Sequence, residues 1–369
     1  MAFKNIYSVK QIDKKWNRQM LQILKQSPVE TPLLTIVFDR EPDIFAIPEK
    51  KSTKLICIGL FIRDRLAGFA MMLDREVLIE GRPQTVLYFG NMAVHPFARG
   101  KGFLYRVSDA FMKNVPDDII GYAVIMQGNR AAKQLLNRFH PRYPNMPHSR
   151  IIGQWHVKNI LLTHRIREKK SIKIRRAQSQ DINQIMRLLK NEYTSRLFAP
   201  HITDESFRHY LETTPGKIHN YFLAEKDNKI VGVCRALDMG TYKQNRVLKY
   251  GKRFKWITIL YKLIAPLFHF PKLPSDGQPF RDITITDYAV KNRDADILQT
   301  LLAGIYNKYR QKQYHMLIIG FSANDPLLNA VKGFFSQSVI SDILIFSKSK
   351  RIVEQPQDSV MPFIDMELL

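Results

Sequence analysis

A chain of 369 residues exceeds what one ordinary core holds and suits two cores of about 150 to 200 residues each. With 45% hydrophobic and 24% charged residues it has the composition of a folded globular chain, and its apolar-richest stretch, "WITILYKLIAPLFHF", is broken by Lys262 and Pro266 short of the roughly 20 residues that span a bilayer. The 57 Lys and Arg against 33 Asp and Glu leave a net charge of +24, which favours polyanionic partners: a phosphate-bearing cofactor, nucleic acid, an acidic substrate or an anionic membrane face.

In chain order, "YSVKQIDKKWNRQMLQIL" predicts a short alternating strand followed by an amphipathic helix. "IRDRLAGFAMMLD" then reads as a strand carrying Gly68, and "TVLYFGNMAVHP" as a β-branched and aromatic strand that stops at Pro96. A charged, glycine-punctuated turn, Arg99-Gly100-Lys101-Gly102, opens into "FLYRVSDAFMK", where Phe103, Val107 and Phe111 stand at helical spacing. "YAVIMQGNRAAKQLLNRF" predicts a strand running through Asn129 into another helix. The charged segment 163–176, "THRIREKKSIKIRR", lacks an apolar pattern until Ile172 and reads as a seam.

Beyond the seam the plan starts again. "IKIRRAQSQDINQIMRLL" repeats the strand and helix, with Ser179 expected as N-cap and Ile182, Ile185, Met186 and Leu189 as the buried stripe. "EKDNKIVGVCRALD" places Gly232 where the first pass has Gly68, and "HMLIIGFSANDPLLNAVKGFF" places Asn324 where it has Asn129. The offset grows from 164 residues at the glycines to 195 at the asparagines, so the second copy carries 31 extra residues, assigned to about 243–277. From Met239 to Pro274 that region has eight Lys or Arg and no Asp or Glu, interleaved with aromatic residues. It reads as a segment packing Phe254, Ile257, Tyr261 and Ile264 between the halves, as a contact for an acidic acceptor substrate, or as a basic amphipathic helix for a membrane or nucleic-acid face. Cys57 and Cys234 lie far apart within apolar runs and are expected to be buried free thiols.

A strand that ends in a glycine-bearing loop and opens a helix presents several backbone N–H groups at the positive end of that helix, which suits a pyrophosphate. The chain has neither GxxxxGK[ST] nor GxGxxG at a strand-to-helix turn. At the equivalent place in the second copy, between "DITITDYAV" and "ILQTLLAGIY", the loop "KNRDAD" has no glycine. Its Asp294 and Asp296 occupy the positive helix end and repel phosphate.

"VHPFARGKGF" resembles the acetyl-CoA loop of the GNAT superfamily of N-acetyltransferases, whose pattern Arg/Gln-x-x-Gly-x-Gly/Ala follows a strand ending Val-x-Pro. Val94, Pro96, Arg99 and Gly102 match, while Leu104 stands where Gly or Ala is usual, either narrowing the phosphate space or repacking the helix start. The order of elements extends the resemblance over nearly the whole chain. It implies an α/β fold of the α+β type, with two tandem GNAT-like domains, each a central mixed, mostly antiparallel sheet flanked by helices. Residues 1–165 would be the acyl-CoA-binding catalytic domain, and 170–369 a second, cofactor-free domain with the basic insertion.

The resemblance further implies direct transfer from acetyl-CoA, or another acyl-CoA, to an amine, with no metal. Met92, Ala93 and Val94 would hold the pantetheine arm, Arg99, Gly100, Lys101, Gly102, Phe103 and Leu104 the pyrophosphate, and Asn129 and Ala132 the far side of the arm. Tyr88, eleven residues before Arg99, stands where the family often has its base; Glu80 is the carboxylate candidate, with Glu76 and His95 behind it. Leu136 stands where the family often has an acid tyrosine, leaving Tyr105 and Tyr122 as substitutes. The acceptor would be a small-molecule or peptide amine, acidic ones included, in a cytoplasmic protein. A degenerate scaffold that binds acyl-CoA, nucleic acid or a membrane surface without turnover is the competing reading.

Overall fold

A computed structural model describes residues 7–31, 34–129, 132, 142–213, 217–251, 256, 258–261, 263, 265, 267, 270–354 and 361–369. Runs rich in β-branched, aliphatic and aromatic residues form the strands of the first half: β1 (Tyr7–Gln11), β2 (Leu34–Asp39), β3 (Lys54–Ile62), β4 (Arg65–Ile79), β5 (Arg82–Val94), β6 (Gly121–Met126) and β7 (His148–Leu161). The second half adds β8 (Lys173–Arg176), β9 (Tyr221–Lys226), β10 (Lys229–Leu237), β11 (Gln244–Tyr250), β12 (Asp282–Val290), β13 (Met316–Ser322) and β14 (Ser336–Ser347).

Twelve of these join in one continuous sheet in the order β1-β3-β4-β5-β6-β14-β7-β13-β12-β10-β9-β8. Pairing is antiparallel except at β5/β6 and β12/β13, so each half is mixed and mostly antiparallel. The two middle strands are exchanged. β14, late in the second half, pairs with β6 of the first from Ser341↔Met126 to Phe346↔Gly121. β7, last in the first half, pairs with β13 of the second from Met316↔Leu161 to Ser322↔Trp155. β7 and β14 also pair with each other, from Ser336↔Ile160 to Ser347↔His148.

Helices cover both faces with the stripes their spacing dictates. α1 (Asn17–Lys25) buries Met20, Leu21 and Ile23. α2 (Phe103–Met112) buries Phe103, Val107, Phe111 and Met112. α3 (Ile182–Thr194) buries Ile185, Met186 and Leu189, while Ile182 is only partly covered. The cap lies one residue earlier than expected: Gln178 and Asp181 form a reciprocal capping box, and Ser179 is the first residue of the leading 3-10 turn. α4 (Ala295–Arg310) buries both faces, including Leu298, Leu301, Leu302 and Tyr306. "DPLLNAV" is a 3-10 turn (Pro326–Val331) rather than an α-helix, because Pro326 and Gly333, the latter at φ +87°, bracket too short a stretch. Cys57 and Cys234 are buried free thiols, and burial pushes the Cys57 thiol up to about 12.

Connections beyond the sheet also tie the halves together. The seam lies along α4, where Asn307 accepts from the Ile166 N–H (3.0 Å) and donates to its carbonyl (2.7 Å). The insertion supplies β11, which pairs antiparallel with β2 from Gln244↔Asp39 to Tyr250↔Leu34, and the Arg246 Nε to Asp39 Oδ2 pair (2.7 Å) clamps it. Residues 361–369 run back beneath the first half. Burial would raise the Asp365 carboxyl, but Lys51 (3.1 Å) and Arg75 (3.1 Å) outweigh it and hold it well below the usual carboxylate range. Glu367 meets Arg235 at 2.9 Å.

Candidate active site

β5 and β6 are paired only through Leu87↔Gly121, Tyr88↔Tyr122 and Phe89↔Ala123, after which they part. Just past that point β5 bulges: Phe69 faces Ala93 and Met71 faces Gly90, so Ala70 alone opposes Asn91 and Met92, with Asn91 left-handed at φ +46°. A cavity of about 330 Å³ opens in the gap. Its walls are mostly apolar, among them Met72, Phe89, Met92, Phe111, Met112 and Met126, with Asn91, Ser108, Asn129, Tyr88 and Arg40 as polar points. Leu344 and Phe346 of the exchanged β14 and Leu368 and Leu369 complete it. The cleft is therefore not contained in residues 1–165, as the sequence suggests. Phe346 packs so closely on Gly121 that a Cβ there would lie 2.3 Å from its ring.

Beside the cavity the chain leaves β5 through a 3-10 turn (Pro96–Ala98) begun by His95, whose Nδ1 accepts from the Phe97 N–H at 3.3 Å. Gly100 (φ +75°) and Gly102 (φ +70°) take the left-handed region that favours glycine, and α2 starts at Phe103. A Cβ on either glycine would meet nothing within 4 Å, so this face of the loop is open. No side chain caps α2, and a helix start of this kind suits an anion. The residues thus fit a phosphate-bearing, apolar-armed group: an open glycine loop on an uncapped helix start, beside an apolar cavity.

A family model described as acetyltransferase (GNAT) domain matches residues 31–140, which hold both the parted strands and this loop. Over that segment the chain is similar to a GNAT acetyltransferase domain. No curated relative matches the chain in sequence. Among solved structures, Saccharomyces cerevisiae N-myristoyltransferase with bound myristoyl-CoA is similar, with a TM-score of 0.62 and 13% identity, over 94% of this chain and 80% of that one. A GCN5-related N-acetyltransferase from Sphaerobacter thermophilus is similar over 100% of both chains, with a TM-score of 0.58 and 12% identity. Another from Anabaena variabilis gives 0.52 and 11%, over 93% of this chain and 73% of that one. At these identities the likeness is one of fold.

Within this cleft, Met92, Leu104, Asn129 and Ala132 line the cavity. Asn129 also accepts from the Ala132 N–H (3.2 Å), so it caps and lines at once. Ala93 and Phe103 point instead into the core, where the Phe103 ring fills the space a Cβ on Gly68 would need. The Val94 carbonyl is taken by Ser27 Oγ (3.2 Å) and by Arg99 Nε (3.5 Å). Arg99, Gly100 and Lys101 are exposed on the loop. Tyr88 lines the cavity, and burial, with Tyr122 beside it, pushes its phenol far up, so it stays protonated and offers a hydrogen-bond donor, not a base. Glu80 does not reach the cleft: it is exposed at φ +52° on the β4–β5 turn. Glu76 is engaged by His201 (2.7 Å), and Tyr122 accepts from Arg75 (3.1 Å) in the core. Leu136 lies outside the described residues. Sequence reading missed Arg40, whose Nη2 donates to the Leu369 backbone oxygen (3.2 Å) at the cavity wall; no local motif marks it.

In the second half the equivalent opening is filled. β12 and β13 pair through Asp282↔Met316, Ile283↔Leu317 and Thr284↔Ile318 and then part. Arg293, from the glycine-free loop, turns inward to Glu192 and to Asp325 Oδ1 (2.7 Å). Arg196 closes the ring with Glu192 (2.6 Å) and Asp325 Oδ2 (2.7 Å). The start of α4 is capped by Asp294, whose Oδ1 accepts from the Asp296 N–H (2.8 Å).

Proposed function

We propose that the protein is an acyl-CoA-dependent N-acyltransferase with one working cleft, at the β5–β6 parting, and a cofactor-free second half. The observation that carries this reading is the juxtaposition of an open glycine loop on an uncapped helix with an apolar cavity between parted strands. Acyl-CoA, when bound, supplies an activated thioester to an acceptor amine. The first turn of α2 with Gly100 and Gly102 would hold the phosphates, Arg99 and Lys101 adding countercharge, while Met92, Leu104 and Asn129 border the pantetheine arm. The apolar walls exclude water and hold the acyl group. Tyr88, protonated at neutral pH, would donate a hydrogen bond to the reacting end, while the proton shed by the attacking amine would return to the departing sulfur.

The cavity's volume and its methionine- and phenylalanine-rich lining support a reading in which the acyl group is longer than acetyl. Calorimetry with CoA, acetyl-CoA, octanoyl-CoA and myristoyl-CoA, together with thiol release over a panel of small-molecule and N-terminal peptide amines, tests the proposal. Tighter binding of the longer acyl-CoAs and amine-dependent thiol release are expected. Binding without release across the panel would favour a non-catalytic acyl-CoA carrier, and no binding would remove the cleft assignment.

A further inference from the structure

After β11 the described residues 256, 258–261, 263, 265 and 267 are helical. Trp256, Ile259, Leu260, Leu263 and Leu267 are each more than half exposed, Trp256 at 78% and Leu267 at 75%. Their spacing puts all five within an arc of about 100°. Thr258 and Ala265, on the opposite side, are buried, and Tyr261 Oη donates to the Pro271 carbonyl at 2.8 Å. Among the described residues the usual arrangement of a surface helix is thus inverted: Thr258 and Ala265 face the protein and large apolar side chains face outward. Phe254, Ile257 and Ile264, expected as packing residues, lie outside the described set.

We infer that this helix docks flat on an anionic lipid bilayer. Charge complementarity selects the occupant: Met239 to Pro274 carries eight Lys or Arg, of which Lys243 and Arg246 are engaged within the fold, and no Asp or Glu, and the whole chain is at +24. A contiguous arc of four aliphatic side chains led by a tryptophan matches the acyl boundary of a leaflet, whereas a nucleic-acid backbone offers those aliphatic groups nothing. Among the described residues no helix is long and apolar enough to cross a membrane, so the contact is interfacial.

The test is flotation of the full chain with phosphatidylcholine vesicles, with and without phosphatidylglycerol, read alongside tryptophan emission. Trp155 is buried and Trp16 packs against the core, so a blue shift on vesicle addition reports Trp256. Binding to the phosphatidylglycerol vesicles, weakened by salt, with a blue shift that Trp256→Phe removes, is expected. The double variant Leu260→Glu/Leu263→Glu, at exposed positions, should lose flotation with an unchanged melting temperature. No binding to anionic vesicles, equal binding to phosphatidylcholine alone, or undiminished flotation of the double variant would overturn the inference. So would single-stranded RNA binding that the double variant abolishes while vesicle binding persists.

Discussion

Replacing Arg99 and Arg293 one at a time separates the roles of the two halves. Arg99 is exposed on the open loop, so its loss removes a charge-assisted phosphate contact at the weak end of the usual range, about 1.5 kcal/mol, or about a tenfold loss of acyl-CoA affinity. Arg293 is one of four charges in a cluster of two cations and two anions, and its side chain is 24% exposed while Glu192 and Asp325 are 4% and 0%. Arg293→Ala leaves that cluster with one uncompensated negative charge. Breaking a fully buried pair costs about 3 to 5 kcal/mol, and partial solvent access brings this to about 2 kcal/mol. With an m-value of about 3 kcal/mol/M or more, the urea midpoint should fall by at most roughly 0.7 M. Isothermal titration should then give one acyl-CoA per chain for the wild type and both variants, with affinity altered only by Arg99→Ala. Two molecules per chain, or an Arg293→Ala affinity loss equal to that of Arg99→Ala, would refute the assignment of the second half as cofactor-free.

Gly102→Glu should abolish acyl-CoA binding while circular dichroism and melting change little: its Cβ enters open space, the left-handed strain is about 1 kcal/mol, and the carboxylate occupies the helix start. Tyr88→Phe should leave calorimetric affinity intact and slow thiol release on the order of 100-fold; an unchanged rate would remove Tyr88 from the chemistry. Burial pushes the Asp282 carboxyl from 3.8 up to about 6. Between those values the folded state holds a proton the unfolded state has released, so stability falls as pH rises through this window, by up to about 3 kcal/mol. Asp282→Asn should flatten that fall in urea midpoints measured across the window, and a retained slope would assign it to another group.

The parts of the site readable in the sequence are those encoded by adjacent residues. The turn Arg99-Gly100-Lys101-Gly102 needs its glycines where φ is positive, and the Phe103, Val107, Phe111 stripe needs helical spacing; both requirements are local. The missing glycine in "KNRDAD" was legible for the same reason, but its consequence was not, because Glu192, Arg196 and Asp325 reach Arg293 from separate elements. Glu80 misled because a carboxylate on the right meander says nothing about which end of the hairpin it occupies. The strand exchange leaves no trace in periodicity. "HSRIIGQWHVKNIL" and "SQSVISDILIFS" both offer alternating faces, and either can pair beside β6.

That exchange sets a timetable for synthesis. Met126 waits for Ser341, 215 residues further along, before the open edge of β6 is covered. At translation speeds of about 5 to 20 residues per second, the nascent first half spends roughly 10 to 40 s with that edge unpaired and with β7 close by as a competing partner. Domain-by-domain folding on the ribosome therefore cannot deliver the finished cleft. A chain released early, or nicked at the seam, holds a β6 edge that invites pairing with a second molecule, so slow refolding and concentration-dependent oligomers follow from the same two traded strands.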